Sequence, residues 1–280
     1  MQKVGVVGLG LMGAGIAEVS ARSGLDVVAV EQSKAAADAG TQRLTRSLER
    51  AVAKGKLDDA DAVLDRLRVE TDLDALADRD IVIEAIVEEE GAKTELLTEL
   101  DRIVTAPDAL LASNTSSIPI MKLGVATQRP EQVLGVHFFN PVPVLPLVEL
   151  VPSLLTSPDT TERARSFVEG TLGKQAIDSQ DRAGFVVNAL LIPFVLSAIR
   201  MVESGFATAE DIDRGLVLGA AHPQGPLALA DLIGLDTTKA VAESLYEEFK
   251  EPLYAPPPLL ARMVEAGLLG RKAGRGFYTY

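Results

Sequence analysis

The sequence predicts an α/β fold: a mostly parallel sheet with a protruding helical hairpin, followed by a smaller all-helical domain. Three observations carry that reading. A β-rich run meets Gly8-x-Gly10-x-x-Gly13 and passes at once into a helical pattern. Later, "RDIVIEAIVE" (79–88) carries a continuous apolar run, as a strand buried on both faces of a parallel sheet does, and "DALLASNTSSIP" (108–119) reads as another strand. In the last third of the chain, from the mostly apolar run Gly184 to Glu203 onward, the patterns read as helices.

The first element is the strand Lys3 to Val7. Gly8 permits the tight turn, Gly10 lets backbone approach a pyrophosphate, and Gly13 lets the following helix pack on the strand. Gly15 adds a further small residue to that helix, whose first amides would face an anion. A second run, Asp26 to Val30, ends in Glu31, an acid about 20 residues beyond the glycines. Glu31 is expected to accept hydrogen bonds from ribose hydroxyls and to repel a 2′-phosphate. The unit reads as Rossmann-like, with NAD favoured over NADP. Lys34, close behind Glu31, leaves NADP use open.

From Ser33 to Leu67 the pattern is helical and charged, and "AVAKGKLDD" (51–59) breaks it into two helices. This is longer than an ordinary crossover and predicts a hairpin projecting from the sheet, with Lys54 and Lys56 near its tip. On composition alone those lysines read as a solvated turn. The run 79–88 places Glu88 at its carboxyl end, where such sheets bind ligands, and 108–119 ends in small hydroxyl and amide residues. Either ending could equally be helix capping. "EQVLGVHFFNPVPV" then reads as a strand carrying His137, and "LPLVELV" as one carrying Glu149. In the second domain, helices are expected over Gly184 to Glu203, from the capping-box segment Thr208 to Asp211, and over Leu227 to Leu232, Thr237 to Phe249 and Leu259 to Ala266. His222, where a helix ends before prolines, reads as structural.

Composition narrows the function. The 280 residues suffice for one large domain or two ordinary ones. The chain has no cysteine, which excludes a thiol nucleophile and Cys-based metal sites; no metal centre is expected. A net charge of −13 argues against a nucleic-acid partner, and means that an anionic ligand needs local positive groups. No signal peptide is expected at the start. The longest uncharged run, Ala183 to Ile199, falls short of a membrane span and carries Asn188 and Pro193. A cytoplasmic protein is the expectation.

The segments "GLGLMGAGIA", "IEAIVE", "ASNTSS", "GVHFFNPVPVLPLVEL", "GFVVNALLIPF", "GLDTTK" and "GRKAGRGFYTY" run from end to end of the chain. With them the sequence resembles the L-3-hydroxyacyl-CoA dehydrogenase family, and by length its single-function bacterial members acting on 3-hydroxybutyryl-CoA. The resemblance implies NAD-dependent interconversion of (S)-3-hydroxyacyl-CoA and 3-oxoacyl-CoA. It implies that His137 is the acid/base and Glu149 its partner, that Ser116 and Asn188 contact the substrate's reacting end, and that Glu88 and Lys93, with Ser116 and Asn140, lie about the nicotinamide side of the NAD site. It implies that Ser47 and Lys54 touch the CoA moiety. It also implies an NAD-binding domain over residues 1–183 and a helical domain over 184–280. That second unit is small and very apolar, which predicts a homodimer formed through it. Two alternatives stand beside this reading: a dehydrogenase of a free 3-hydroxy acid of the L-gulonate type, and a catalytically silent NAD-binding protein.

Overall fold

Strands and helices alternate in the first part of the chain and helices alone make up the second, in a computed structural model that describes residues 1–280. The chain divides into two units, Met1–Asp181 and Arg182–Tyr280. The first contains β1 (Lys3–Val7), α1 (Leu11–Arg22), β2 (Asp26–Val30), α2 (Lys34–Ala53), α3 (Asp61–Leu64), β3 (Leu67–Glu70), β4 (Ile81–Glu84), α4 (Glu90–Ile103), β5 (Leu110–Ser113), α5 (Ile120–Gly124), β6 (Val133–Phe138), β7 (Leu147–Pro152), α6 (Pro158–Arg165) and β8 (Gln175–Asp178). The second contains α7 (Val187–Glu203), α8 (Ala209–Ala220), α9 (Pro226–Ile233), α10 (Leu235–Phe249) and α11 (Pro258–Glu265).

The eight strands form one sheet in the order β3-β2-β1-β4-β5-β6-β7-β8. All neighbours run parallel except β6 and β7, which are antiparallel. The strand order reverses between β1 and β4, and in such sheets ligands bind beyond the carboxyl ends at that point. The central strands β4, β5 and β6 are buried throughout, which accounts for their continuous apolar runs. In the second unit Val195, Leu196, Ile199, Leu227 and Leu245 form a separate core.

Several elements differ from the sequence reading. The strands within 79–88 and 108–119 are short, ending at Glu84 and Ser113, so Glu88 lies in the loop beyond β4. The second arm of the hairpin is the single turn α3, anchored by one buried residue, Val63, and at Leu67, where the helical pattern ends, the chain enters β3, a strand the sequence does not predict. Leu67 and Val69 alternate there with the exposed Arg68 and Glu70, the pattern of a half-covered edge strand. Helix α7 starts at Val187 because Gly184 and Phe185 have φ of +74° and +49°, outside the helical region. Within the apolar run 184–199, Ile192, Pro193, Val195, Leu196, Ala198 and Ile199 are buried inside the second unit. Val186 and Leu190 of the same run stay exposed.

The glycine loop has a different physical reason at each position. Gly8 has φ +90°, and a Cβ there would lie 2.8 Å from the Ala85 carbonyl oxygen on the loop after β4. A Cβ on Gly13 would meet the Gly8 carbonyl oxygen at 1.8 Å. A Cβ on Gly10 would meet nothing within 4 Å. Helix α1 begins there with no side-chain cap and no acidic residue in its first turn, so its leading amides suit an external anion. We expect Gly13→Ala to destabilise the chain by about 1–3 kcal/mol, as overpacking against backbone does. Gly10→Ala should stay within about 0.5 kcal/mol of the parent in a thermal melt while weakening NADH binding, read by fluorescence titration. Equal melting losses in both variants would contradict this division.

Candidate active site

His137 and Glu149 stand directly opposite each other in the antiparallel ladder of β6 and β7. Cross-strand partners project from the same face, and here the ring and the carboxylate meet. His137 Nδ1 donates to Glu149 Oε2 at 2.7 Å, with the histidine 6% exposed and the glutamate fully buried. A carboxylate only accepts, so Nδ1 carries the proton and Nε2 is the acceptor nitrogen of the neutral ring. The Phe139 ring meets the imidazole edge-on, with centroids 4.6 Å apart.

The loop joining the two strands fixes their register. The amides of Val144 and Leu145 both donate to the Pro141 carbonyl, and Lys174 Nζ donates to the carbonyls of Val142 and Leu145 at 2.7 Å each. Val142 is buried against α1 at Gly15, where a Cβ would lie 2.8 Å from that of Val142. Asn140 sits exposed on this loop, three residues beyond His137.

A second cluster lies over the ends of β4 and β5. Glu88 Oε1 accepts from the Thr115 hydroxyl at 2.6 Å, from the Ser116 amide at 2.9 Å and hydroxyl at 3.3 Å, and from the Ser117 amide at 3.1 Å and hydroxyl at 2.9 Å. Its other oxygen lies 3.4 Å from Lys93 Nζ. Lys93 is only 1% exposed, and its ammonium is held chiefly by the buried Glu84. The structure thus brings Ser116, Glu88 and Lys93 together. Burial pushes the Glu88 carboxyl up, but the Lys93 charge and the hydrogen bonds from Thr115, Ser116 and Ser117 outweigh it, and the net shift is downward from 4.5.

At the carboxyl end of β2, Glu31 Oε1 accepts from the Leu9 amide at 2.7 Å, and Oε2 accepts from the Gln32 amide at 3.1 Å. Arg43 on α2 donates to the Leu9 carbonyl at 2.6 Å. Leu9 also packs against Gly40, where a Cβ would come within 2.4 Å of its own. The acid read as a ribose acceptor therefore also braces the glycine loop. Ser47 and Lys54 lie two turns apart on the α2 side of the hairpin, with Lys54 exposed at the C-cap. Asn188 belongs to the second unit, in the first turn of α7. His222 packs its ring on Phe194, with centroids 5.5 Å apart.

Sequence reasoning missed Glu84, Ser113, Arg43 and Asn114, whose Oδ1 accepts from the Phe138 amide at 2.9 Å. Glu84 left no signal, because the apolar run continues past it through Val87. Asn114 was marked only as one of the small polar residues ending 108–119, and Arg43 left no signal, since its partner is a distant backbone carbonyl.

The depressed Glu88 value gives a pH dependence with a definite sign. A carboxyl whose folded value lies below its unfolded one adds stability that is complete above pH 4.5 and is lost as pH falls through the folded value. The melting difference between the parent and Glu88→Gln should therefore be constant near neutrality and shrink below pH 4.5. A difference independent of pH across that range would refute the ionic role of Glu88.

Comparison with known proteins bears directly on this arrangement. The family model for the 3-hydroxyacyl-CoA dehydrogenase NAD-binding domain matches residues 3–182, and that for the C-terminal domain matches residues 184–280. A 3-hydroxybutyryl-CoA dehydrogenase of Mycobacterium tuberculosis is 60% identical over 282 residues, covering 100% of this chain and 99% of the relative. The solved structure of M. tuberculosis FadB2 is 60% identical with a TM-score of 0.99, over 100% of this chain and 99% of that one. The (S)-3-hydroxybutyryl-CoA dehydrogenase PaaH1 of Ralstonia eutropha is 46% identical with a TM-score of 0.93, over 100% and 99% of the two chains. Both units match along their whole length, so the chain belongs to the 3-hydroxyacyl-CoA dehydrogenase family and is an NAD-dependent oxidoreductase.

Proposed function

We propose that the chain interconverts (S)-3-hydroxyacyl-CoA and 3-oxoacyl-CoA, with 3-hydroxybutyryl-CoA as its substrate, using His137 and Glu149 as an acid/base pair. The observation that carries the reading is the buried 2.7 Å contact between them. In the oxidative direction the 3-hydroxyl proton must leave as the C3 hydride does, because a protonated ketone is a poor product. Nε2 of neutral His137 accepts that proton, and Glu149 holds the tautomer and stabilises the imidazolium that forms. In reduction the imidazolium returns the proton to the developing alkoxide. Bound NAD supplies the hydride acceptor.

The glycine loop of Gly8, Gly10 and Gly13 and the uncapped start of α1 hold the pyrophosphate, with Glu31 toward the adenosine ribose. Glu88, Lys93 and Asn140 shape the nicotinamide side. The Ser116 hydroxyl and the Asn188 amide orient the substrate's reacting end. Apolar side chains on the second unit, Leu190, Phe206 and Leu218, are each more than 70% exposed, which supports a homodimer built on that unit. No helix is long and apolar enough to cross a membrane, and a cysteine-free chain suits a reducing cytoplasm.

Kinetics with acetoacetyl-CoA and NADH test the pair. His137→Gln and Glu149→Gln should each lose about three orders of magnitude or more in turnover while NADH affinity stays near the parent's. Near-normal turnover in either variant would remove the assignment.

The CoA handle is tested separately. Changing Lys54 and Lys56 together to Ala should lower kcat/KM for acetoacetyl-CoA by roughly ten- to thirtyfold, and less at high salt, because exposed ion pairs are weak and screened. An acetoacetyl-pantetheine thioester, which lacks those phosphates, should barely distinguish variant from parent. Comparable kcat/KM for free 3-hydroxybutyrate and its CoA thioester would favour the free-acid reading.

A further inference from the structure

Glu84, the last residue of β4, is completely buried. An ionised carboxylate in that position is costly unless its acceptor sites are matched. Oε1 accepts from Lys93 Nζ at 2.9 Å and from the Ser113 hydroxyl. Oε2 accepts from Lys93 Nζ at 2.7 Å and from the Ile86 amide at 3.2 Å. These contacts use the carboxylate's capacity, so Glu84 acts on its protein neighbours and not on a ligand.

Those neighbours come from three elements. Ser113 ends β5, Ile86 lies in the loop after β4, and Lys93 stands in the first turn of α4. Lys93 is itself buried, and its ammonium also lies 3.4 Å from the Ile86 carbonyl and 3.4 Å from Glu88. Glu88 in turn gathers the hydroxyls and amides of the Thr115–Ser117 turn. An unbroken series of contacts therefore runs from the buried end of β4 to the Ser116 hydroxyl. Stability alone does not explain it, because a buried ion pair rarely outperforms apolar side chains of the same volume. Apolar filling would leave the Glu88 carboxylate without a fixed place.

We propose that Glu84 is a positioning residue for the reaction: it anchors the Lys93 ammonium between β4 and β5, and thereby sets where Glu88 and the Ser116 hydroxyl stand. The inference rests on Ser116 being a substrate contact. Without the Glu84 charge, buried Lys93 has Glu88 as its one carboxylate partner among these groups and draws it off the Ser116 turn. Losses at Glu84 and Glu88 then act through the same displacement and overlap.

The test is a double-mutant cycle on the full chain, with Glu84→Gln, Glu88→Gln and both together. Readouts are kcat and KM for acetoacetyl-CoA, the NADH dissociation constant by fluorescence titration, and thermal melting. Glu84→Gln should lower kcat by about ten- to a hundredfold, the scale of a displacement near one ångström, and change KM by less than about threefold. The double variant should be no slower than the worse single one. Ser113→Ala, which removes only one hydrogen bond, should shift kcat the same way by a smaller factor, and it decides the matter if Glu84→Gln does not fold. Losses that multiply, or a lower melting temperature with parental kcat in the folded enzyme, would overturn the inference. A parent inactive on every 3-oxoacyl-CoA would instead overturn the functional reading, and overlap or multiplication in the NADH constants would still decide the role of Glu84.

Discussion

The antiparallel pairing of β7 on β6 is the constraint on which this site depends. In a parallel sheet each strand offers its last residues to the ligand-binding end. By reversing direction, β7 offers its early residues there instead, so Glu149 faces His137 near the end of β6. A slip of one residue would turn Glu149 to the opposite face of the sheet. The turn at Pro141, the ammonium of Lys174 and the notch at Gly15 together hold the register. A glycine in the first helix thus takes part in a contact more than a hundred residues later in the sequence.

Around that pair, the carboxyl end of the sheet gathers acids in a chain that already carries a net charge of −13. Glu31, Glu84, Glu88 and Glu149 all lie there, and each accepts hydrogen bonds from within the chain. Internal donors keep these charges from being isolated. The exception is the start of α1, which has neither cap nor acid, and there the peptide amides are available to an anion. The site is thus divided into an anion-accepting helix start flanked by carboxylates. A dinucleotide with a phosphate bridge, a cationic ring and unphosphorylated ribose hydroxyls suits that division.

What the sequence revealed follows from the range of the interactions involved. Strands β1 and β2 and the glycine turn between β1 and α1 were legible because each depends on neighbours a few residues away. The resemblance then pointed to His137 and Glu149 as partners before their register was visible. Strands β3 and β8 were not legible: they are four residues each, only partly buried, and lack the apolar run that marked the central strands. The Glu84–Lys93 pair was hidden for another reason. A charged residue in sequence looks the same whether it is solvated or buried, and only the fold supplies the partner. Glu88 was assigned to the end of a strand because nothing in "IVIEAIVE" marks Glu84 as the place where the strand stops.

The rigidity of the site is shared unequally between sheet and loops. His137 and Glu149 sit within a backbone ladder, whereas Ser116 lies on a turn with no ladder of its own. That turn is tied down at successive points. Asn114 holds the Phe138 amide, Glu88 holds residues 115–117, and Asp181 accepts the amides of Ile120 and Met121 at 2.7 Å each. Two of these three ties are carboxylates, each of which accepts several donors at once. The sheet's own hydrogen bonds join peptide groups that do not titrate. The Ser116 turn is therefore held by side chains, and the strands by their own peptide groups.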